Sequence, residues 1–279
     1  MGKTYKLGLL GHGISFSLSP KIHLYSANIL GLNCTYELFD LDAGPAESFL
    51  KRFWDEGGHG LNVTTPHKEL VAKAVQSKLR SVNTLYRGQS AWETASTDGE
   101  GFARAVARTG RGLDSYTGLV ILGSGGASAA ILSYLQSQKA QARVHLLRRS
   151  NKKDEALSQD LAREISFYDF NVEALGDCLS QVNHSDSLLI QASSAPLKGD
   201  DLSHLLPAFE SFGGDMADLV YGKPSALYEM AKKRGQTCQD GLPMLIEQAR
   251  LAQELWWGES AGFDEVLAPL QAELEAKNS

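Results

Sequence analysis

The hydrophobic and polar positions of this chain fall into two rhythms that take turns. Lys6-Leu-Gly-Leu-Leu10 is a short apolar run ending in Gly11-His-Gly13, which predicts a strand entering a loop. Ser17-Leu-Ser19-Pro20 follows. Pro20 suits a first helical position and Ser19 an N-cap, so a helix is expected from about Pro20 to Leu30, closed by Gly31-Leu-Asn33. Thr35 to Leu41 alternates as a strand does, and Pro45 to Trp54 has helical spacing. A turn at Gly57-Gly58-His-Gly60 leads into another strand, Glu69 to Val75 reads as a helix, and Val82 to Thr97 holds two strands around Arg87-Gly88. The chain up to about Phe102 thus alternates strands and helices as one α/β unit.

A second unit begins after a connecting helix at Gly101 to Thr109. Leu119-Val-Ile-Leu122 is a buried strand that runs directly into Gly123-Ser-Gly-Gly-Ala127 and an alanine-rich helix, Ser128 to Leu135. Further strands are expected at Ala142 to Leu147, Ser187 to Ala192 and Ala217 to Tyr221. Helices are expected at roughly Lys153 to Ile165 and Ser225 to Arg234. Leu245 to Trp257 is one long amphipathic helix with a polar tail after it. The expected fold is α/β, with two α/β domains around a cleft and a Rossmann-like nucleotide domain. Residues 1–102 plus 241–279 form the substrate domain, and 103–240 the nucleotide domain inserted between them. Two chain crossings would make a hinge.

Composition narrows the class. A length of 279 residues suits two domains, with 43% hydrophobic and 22% charged residues typical of a globular enzyme. A net charge of −6 argues against a nucleic-acid partner held by bulk attraction to phosphates. Cys34, Cys178 and Cys238 form no Cys-x-x-Cys pair, which suggests a reducing compartment. The start, Met-Gly-Lys-Thr-Tyr-Lys, has no apolar leader, and no run reaches transmembrane length. The expected location is the cytoplasm, with no membrane partner. The seven histidines show no metal-ligand spacing and no Gly-x-Ser-x-Gly elbow is present, so neither a metal nor a covalent nucleophile is expected.

Candidate chemistry gathers in Gly60-Leu-Asn-Val-Thr-Thr-Pro-His-Lys68 and Ser96-Thr-Asp98-Gly. Asn62 and Thr64 are two apart, so an extended segment points both to one face, and Pro66 stops the strand before Lys68. Lys68 alone reads as a solvated lysine, and Asp98 alone as a turn initiator. Together they form a plausible proton-transfer pair, with Asp98 supplied by a second loop. Ser17 and Ser19, beside a helix N-terminus, form a seat for a carboxylate. Asn83 in Val-Asn-Thr and Gln248 on the last helix are further polar candidates.

The loop Gly123, Ser124, Gly125, Gly126 and Ala127, between strand and helix, suits a pyrophosphate, although Ser128 stands where the usual fingerprint has its third glycine. About 20 residues on come Arg148, Arg149 and Ser150, then Lys152 and Lys153, where an NAD enzyme usually places an acidic residue. Cations and a hydroxyl there suit a 2′-phosphate, and so NADP. Tyr221 ends a strand of this unit, where ligands of open α/β sheets collect.

In their order along nearly the whole chain these motifs resemble the shikimate dehydrogenase family. The resemblance rests on Ser-Leu-Ser-Pro at 17–20, Asn-Val-Thr at 62–64 with Lys68, Val-Asn-Thr at 82–84, Thr-Asp-Gly at 97–99, Gly-Ser-Gly-Gly-Ala at 123–127 and Asp-Gly-Leu-Pro-Met-Leu at 240–245. It implies that Ser17 and Ser19 hold the substrate carboxylate and that Asn62, Thr64, Asn83, Asp98 and Gln248 bind ring hydroxyls. It makes Lys68 and Asp98 the catalytic pair. It places Arg149 and Ser150 on the 2′-phosphate, and Leu219, Tyr221 and Gly241 along the nicotinamide and the cleft. The implied reaction is NADP-dependent interconversion of 3-dehydroshikimate and shikimate, a step toward chorismate and the aromatic amino acids, in a monomer or homodimer. The chain departs from the family pattern at Gly13, Phe16, Leu24, Arg80-Ser81, Ser96, Arg148 and Gln191-Ala-Ser193. These departures suggest a divergent member. They leave open a quinate or aminoshikimate dehydrogenase and, outside enzymes, an NADP or shikimate sensor.

Overall fold

A computed structural model describes residues 3–42, 44, 46–149 and 165–278. Its contacts divide the chain into two units, Met1–Gly101 with Leu245–Ser279, and Phe102–Met244.

The first unit carries the sheet order β2-β1-β3-β4-β5, built from β1 (Thr4–Gly11), β2 (Asn33–Asp40), β3 (Gly60–Val63), β4 (Thr84–Arg87) and β5 (Trp92–Ala95). β1 pairs in parallel with β2 and β3, while β3, β4 and β5 run antiparallel in turn. Its helices are α1 (Ser19–Ile29), α2 (Ala46–Asp55), α3 (Lys68–Ala74) and the start of α4 (Asp98–Ala107). Period-two alternation sorts the sheet's side chains. Leu10, Leu61 and Val63 pack with Phe49, Phe53 and Val71 of α2 and α3. Leu7, Leu9 and Tyr36 join Ala252 and Trp256 in a second cluster. Gly60 is required by that second cluster. A Cβ there would lie 2.2 Å from Trp256 Nε1, whose N–H donates to the Leu85 carbonyl at 2.8 Å. Gly60→Ala is therefore expected to destabilise the fold by about 1–3 kcal/mol, the usual cost of overpacking, as read from urea denaturation.

The second unit has six parallel strands in the order β11-β10-β9-β6-β7-β8. They are β6 (Gly118–Leu122), β7 (Arg143–Arg148), β8 (Ile165–Asp169), β9 (Ser187–Gln191), β10 (Asp215–Asp218) and β11 (Cys238–Gln239). This is the doubly wound arrangement, with its switch point between β6 and β9. Both central strands are buried along their whole length, as a sheet covered on two faces requires. Leu119 and Ile121 enter one core, and Val120 and Leu122 the other. The helices are α5 (Gly126–Ser137), α6 (Val172–Leu179), α7 (Leu206–Phe209) and α8 (Ala226–Lys233). Finally α9 (Leu242–Trp257) and α10 (Phe263–Asn278) run into and through the first unit's C-terminal segment.

Several sequence expectations need correction. Among the described residues the second unit has six strands, not four: β8 and β11 were not anticipated, and the helix expected at 153–165 lies outside the described residues except Ile165, which opens β8. The polar tail is the helix α10, with Phe263, Val266 and Leu270 buried at helical spacing. β10 ends at Asp218, so Tyr221 lies in the loop beyond it. Ser19 is the first residue of α1, and Leu18 holds the cap position without a side-chain bond. No helix among the described residues is long and apolar enough to cross a membrane.

Candidate functional site

Two helix starts bring the first unit's polar residues together. Lys68 opens α3 and Asp98 opens α4, so Asp98 sits on a helix rather than the loop that its Thr-Asp-Gly context suggested. A helix N-terminus favours a carboxylate. The Lys68 ammonium pairs with Asp98 Oδ2, and both side chains are largely buried. Asp98 Oδ1 accepts from Asn83 Nδ2 at 2.7 Å. Asn83, just ahead of β4, also donates to Thr97 Oγ1 at 2.9 Å and accepts the Thr97 backbone N–H at 2.8 Å. A buried polar group is tolerated when bonded in this way. Gln248 on α9 closes the group: its Oε1 accepts from Thr97 Oγ1 at 3.5 Å, and its Nε2 donates to the Leu245 carbonyl at 2.8 Å. Gly101 permits this approach, since a Cβ there would lie 2.7 Å from the Gln248 backbone nitrogen.

Asn62 is buried in the centre of the sheet, where its oxygen accepts from Tyr36 and its amide nitrogen donates to Thr84. Thr64 follows the end of β3 and is half-buried. The loop between β1 and α1 is pinned by Asp40, whose oxygens accept the N–H groups of Gly13 at 2.8 Å and Ile14 at 3.1 Å. Beyond it, Ser17 Oγ accepts the Ser19 N–H and donates to Ser19 Oγ, both at 3.2 Å. Two hydroxyls and the start of α1 thus lie side by side. Burial pushes the Tyr36 phenol well above its ordinary range, with a hydrogen bond from Ser19 opposing it.

His23 is the residue here that the sequence reading missed. It lies on the buried face of α1 with Ser19, Ile22, Ser26 and Ala27, and that helical spacing was a usable signal. Burial lowers its pKa from 6.5 to about 3, with the Asn62 bond acting the other way. The unfolded chain takes up this proton near 6.5 and the folded chain only near 3. The stability from a neutral His23 is therefore complete above about 6.5 and lost progressively as pH falls toward 3. His23→Gln is expected to flatten that acid limb in denaturation curves collected across this window.

In the second unit β6 ends in the glycine loop. Gly123 has φ +109°, and a Cβ would meet the Ser193 backbone at 3.0 Å. A Cβ on Gly125 or Gly126 would meet nothing within 4 Å, so the loop leaves open space beside the N-terminus of α5. That opening and those N–H groups fit a pyrophosphate. Ser124 and Ala127 are half-buried beside them. Ser128 in place of glycine is accommodated because its hydroxyl donates to the Gly123 carbonyl at 2.6 Å. Arg148 is held by Asp169 at 2.7 Å. Arg149 is 58% exposed, against Asp200 at 3.1 Å. Ser150, Lys152 and Lys153 lie outside the described residues. Asp218, fully buried, accepts the N–H groups of Val220 at 2.9 Å and Ser225 at 2.7 Å and so fixes the loop carrying Leu219 and Tyr221. Gly241 packs against that loop, where a Cβ would sit 2.2 Å from the Leu219 carbonyl oxygen.

The shikimate dehydrogenase substrate binding domain family matches residues 9–85. The chain is 33% identical over 268 residues to the shikimate dehydrogenase (NADP(+)) of Methanopyrus kandleri, covering 93% of this chain and 92% of that one. The chain belongs to the shikimate dehydrogenase family. The Acinetobacter baylyi relative of the same name is 34% identical, over 91% of this chain and 96% of its own. Shikimate 5-dehydrogenase from Thermus thermophilus, solved in complex with NADP(H) and shikimate, matches with a TM-score of 0.78 and 28% identity, over 94% of this chain and 97% of that chain. As a member of the shikimate dehydrogenase family the protein is an oxidoreductase. The family's substrate-domain match spans Ser17, Ser19, Asn62, Thr64, Lys68 and Asn83 and stops before Asp98 and Gln248, which the fold of the first unit brings to the same place.

Proposed function

We propose that this protein catalyses the NADP-dependent, reversible reduction of 3-dehydroshikimate to shikimate, with Lys68 and Asp98 as its proton-transfer pair. The observation that carries the reading is the Lys68–Asp98 ion pair, built from two helix starts and braced by Asn83 and Thr97. The names of relatives 33% and 34% identical over nine-tenths of the chain support the substrate and the cofactor.

NADPH supplies the hydride when bound. In the proposed assignment Gly123, Ser124, Gly125, Gly126 and Ala127 cradle its pyrophosphate. Arg149, with Ser150, meets the 2′-phosphate while Arg148 stays on Asp169, and Leu219, Tyr221 and Gly241 border the nicotinamide. Ser17 and Ser19 hold the substrate carboxylate, while Asn62, Thr64, Asn83, Asp98, Tyr221 and Gln248 hold ring oxygens. Lys68 gives a proton from Nζ to the substrate oxygen that becomes the new hydroxyl, and takes it back in the oxidative direction. Asp98 holds the ammonium on target and accepts from a substrate hydroxyl. The first unit is then the substrate domain and the second the NADP domain. Neither a metal nor a second macromolecule enters this scheme.

A panel of shikimate, quinate and aminoshikimate, each with NADP⁺, tests the assignment. Shikimate is expected to give the highest kcat/KM. A higher value for either other acid would transfer the function to that substrate. Ligand binding without turnover of any of the three would make the protein a sensor.

A further inference from the structure

Behind the site runs a chain of side-chain hydrogen bonds whose direction is dictated at one end. Two anchors have no choice of role. The Thr97 backbone N–H can only donate, and it meets Asn83 Oδ1 at 2.8 Å. The Asp98 carboxylate accepts, and it meets Asn83 Nδ2 at 2.7 Å. Together they fix the Asn83 amide. Thr84 Oγ1 lies 3.1 Å from Asn83 Oδ1, a contact between two oxygens that requires the Thr84 proton. Thr84 therefore has only lone pairs left for Asn62, whose Nδ2 donates to it at 3.3 Å. Asn62 Oδ1 is turned the other way, toward the Tyr36 hydroxyl at 2.8 Å and His23 Nε2 at 3.0 Å. An amide oxygen only accepts, so His23 carries its proton on Nε2. Its Nδ1 is then bare and accepts from Gln253 Nε2 at 3.2 Å.

Other features agree with this polarity. The His23 ring is fully buried, stacked on Tyr36 at a centroid distance of 4.7 Å and flanked by Trp256 at 5.0 Å, and this burial away from water disfavours a charged ring. Gln253 Nε2 also donates to Ser26 Oγ at 3.0 Å, and Gln253 Oε1 is left buried without a hydrogen-bond partner. The far end of the chain thus bears a buried unsatisfied atom, whereas Asn83 is bonded on both its oxygen and its nitrogen. Among the described residues Asn62 Nδ2 has one acceptor, Thr84, so its second N–H is what the amide offers to a ligand.

We propose that His23 is a positioning residue for substrate recognition: its Nε2–H, with the Tyr36 hydroxyl, holds the Asn62 amide so that it presents an N–H, and not a carbonyl, to a ring hydroxyl oxygen. The identity of that substrate rests on the function proposed above. The tautomer rests on geometry alone. Sequence-remote His23, Tyr36 and Gln253 thereby act on binding without touching the reacting atoms.

Two measurements test this separately. Long-range ¹H–¹⁵N spectra of the histidine-labelled protein, with the His23 signal assigned by its loss in His23→Gln, are expected to show the neutral Nε2–H tautomer throughout about pH 5 to 8. An Nδ1–H tautomer, or a ring that titrates in that range, would overturn the proposal. This result stands whether or not shikimate is the substrate. In steady-state kinetics His23→Phe, which cannot donate, is expected to raise KM for shikimate roughly tenfold, the scale of one lost hydrogen bond, with KM for NADP⁺ unchanged. His23→Gln keeps a donor and is expected to recover most of that loss. Tyr36→Phe keeps the stacked ring and is expected to show a smaller rise. Unchanged shikimate KM in folded His23→Phe, or no recovery in His23→Gln, would count against the proposal. Failure of the wild type to turn over shikimate would instead remove the proposed function, with the tautomer still decided by the spectra.

Discussion

Lys68→Ala is expected to lower turnover of shikimate by roughly 10²-fold or more, the scale of general acid–base catalysis, with NADP⁺ binding intact. Lys68 is the cation paired with Asp98, and the carboxylate's other oxygen is occupied by Asn83. Alanine at 68 removes the proton carrier while leaving the Asn83–Thr97 bonds that hold the Asn83 amide. KM for shikimate should therefore change much less than kcat. A KM effect with kcat preserved would make Lys68 a binding residue. Near-normal values of both would remove it from the mechanism. The variant should remain folded, because Val71 and Ala72, not Lys68, are the α3 residues buried in the core.

The second large effect concerns the cofactor. Arg149→Ser is expected to reduce kcat/KM for NADP⁺ by roughly 10- to 100-fold while leaving that for NAD⁺ nearly unchanged, since a hydrogen bond to a charged group contributes about 1.5–3 kcal/mol. Of the two arginines at the exit of β7, Arg148, its last residue, is mostly buried and held by Asp169, whereas Arg149, just beyond it, is exposed beside Asp200 and able to turn to an incoming phosphate. Arg148→Ser is accordingly expected to act mainly on stability. Equal losses with NADP⁺ and NAD⁺ in Arg149→Ser would show that the side chain supports the fold or the pyrophosphate instead. A larger NADP⁺ effect at 148 than at 149 would reverse the assignment.

What could be read from the chain, and what could not, follows from the range of the signals. The strand–glycine–helix passage at 119–135 was legible because its signals are local: an apolar run, glycines at a turn and a helix in one stretch. The first unit's strands were legible for the same reason. β8 was not, because the apolar residues among 156–162 have helical spacing and drew the helix as far as Ile165. α10 was hidden by its acidic surface and by Pro269, although three buried side chains hold it. Asn62 was read as a side chain presented to a ligand. The structure shows that most of its hydrogen-bonding capacity serves a buried network, because β3 is a central strand covered on both faces. Partners such as His23 and Gln253 lie 39 residues from Asn62 and 230 residues from His23 respectively, and no periodicity within one segment reports a contact of that span.

The most direct test of the central claim is to mix the purified protein with 3-dehydroshikimate and NADPH and follow loss of the reduced nicotinamide alongside the ring product. The account predicts one shikimate formed for each NADPH oxidised, with NADH a poor substitute. NADPH that persists beside unreacted 3-dehydroshikimate, under conditions where both are shown to bind, would contradict it.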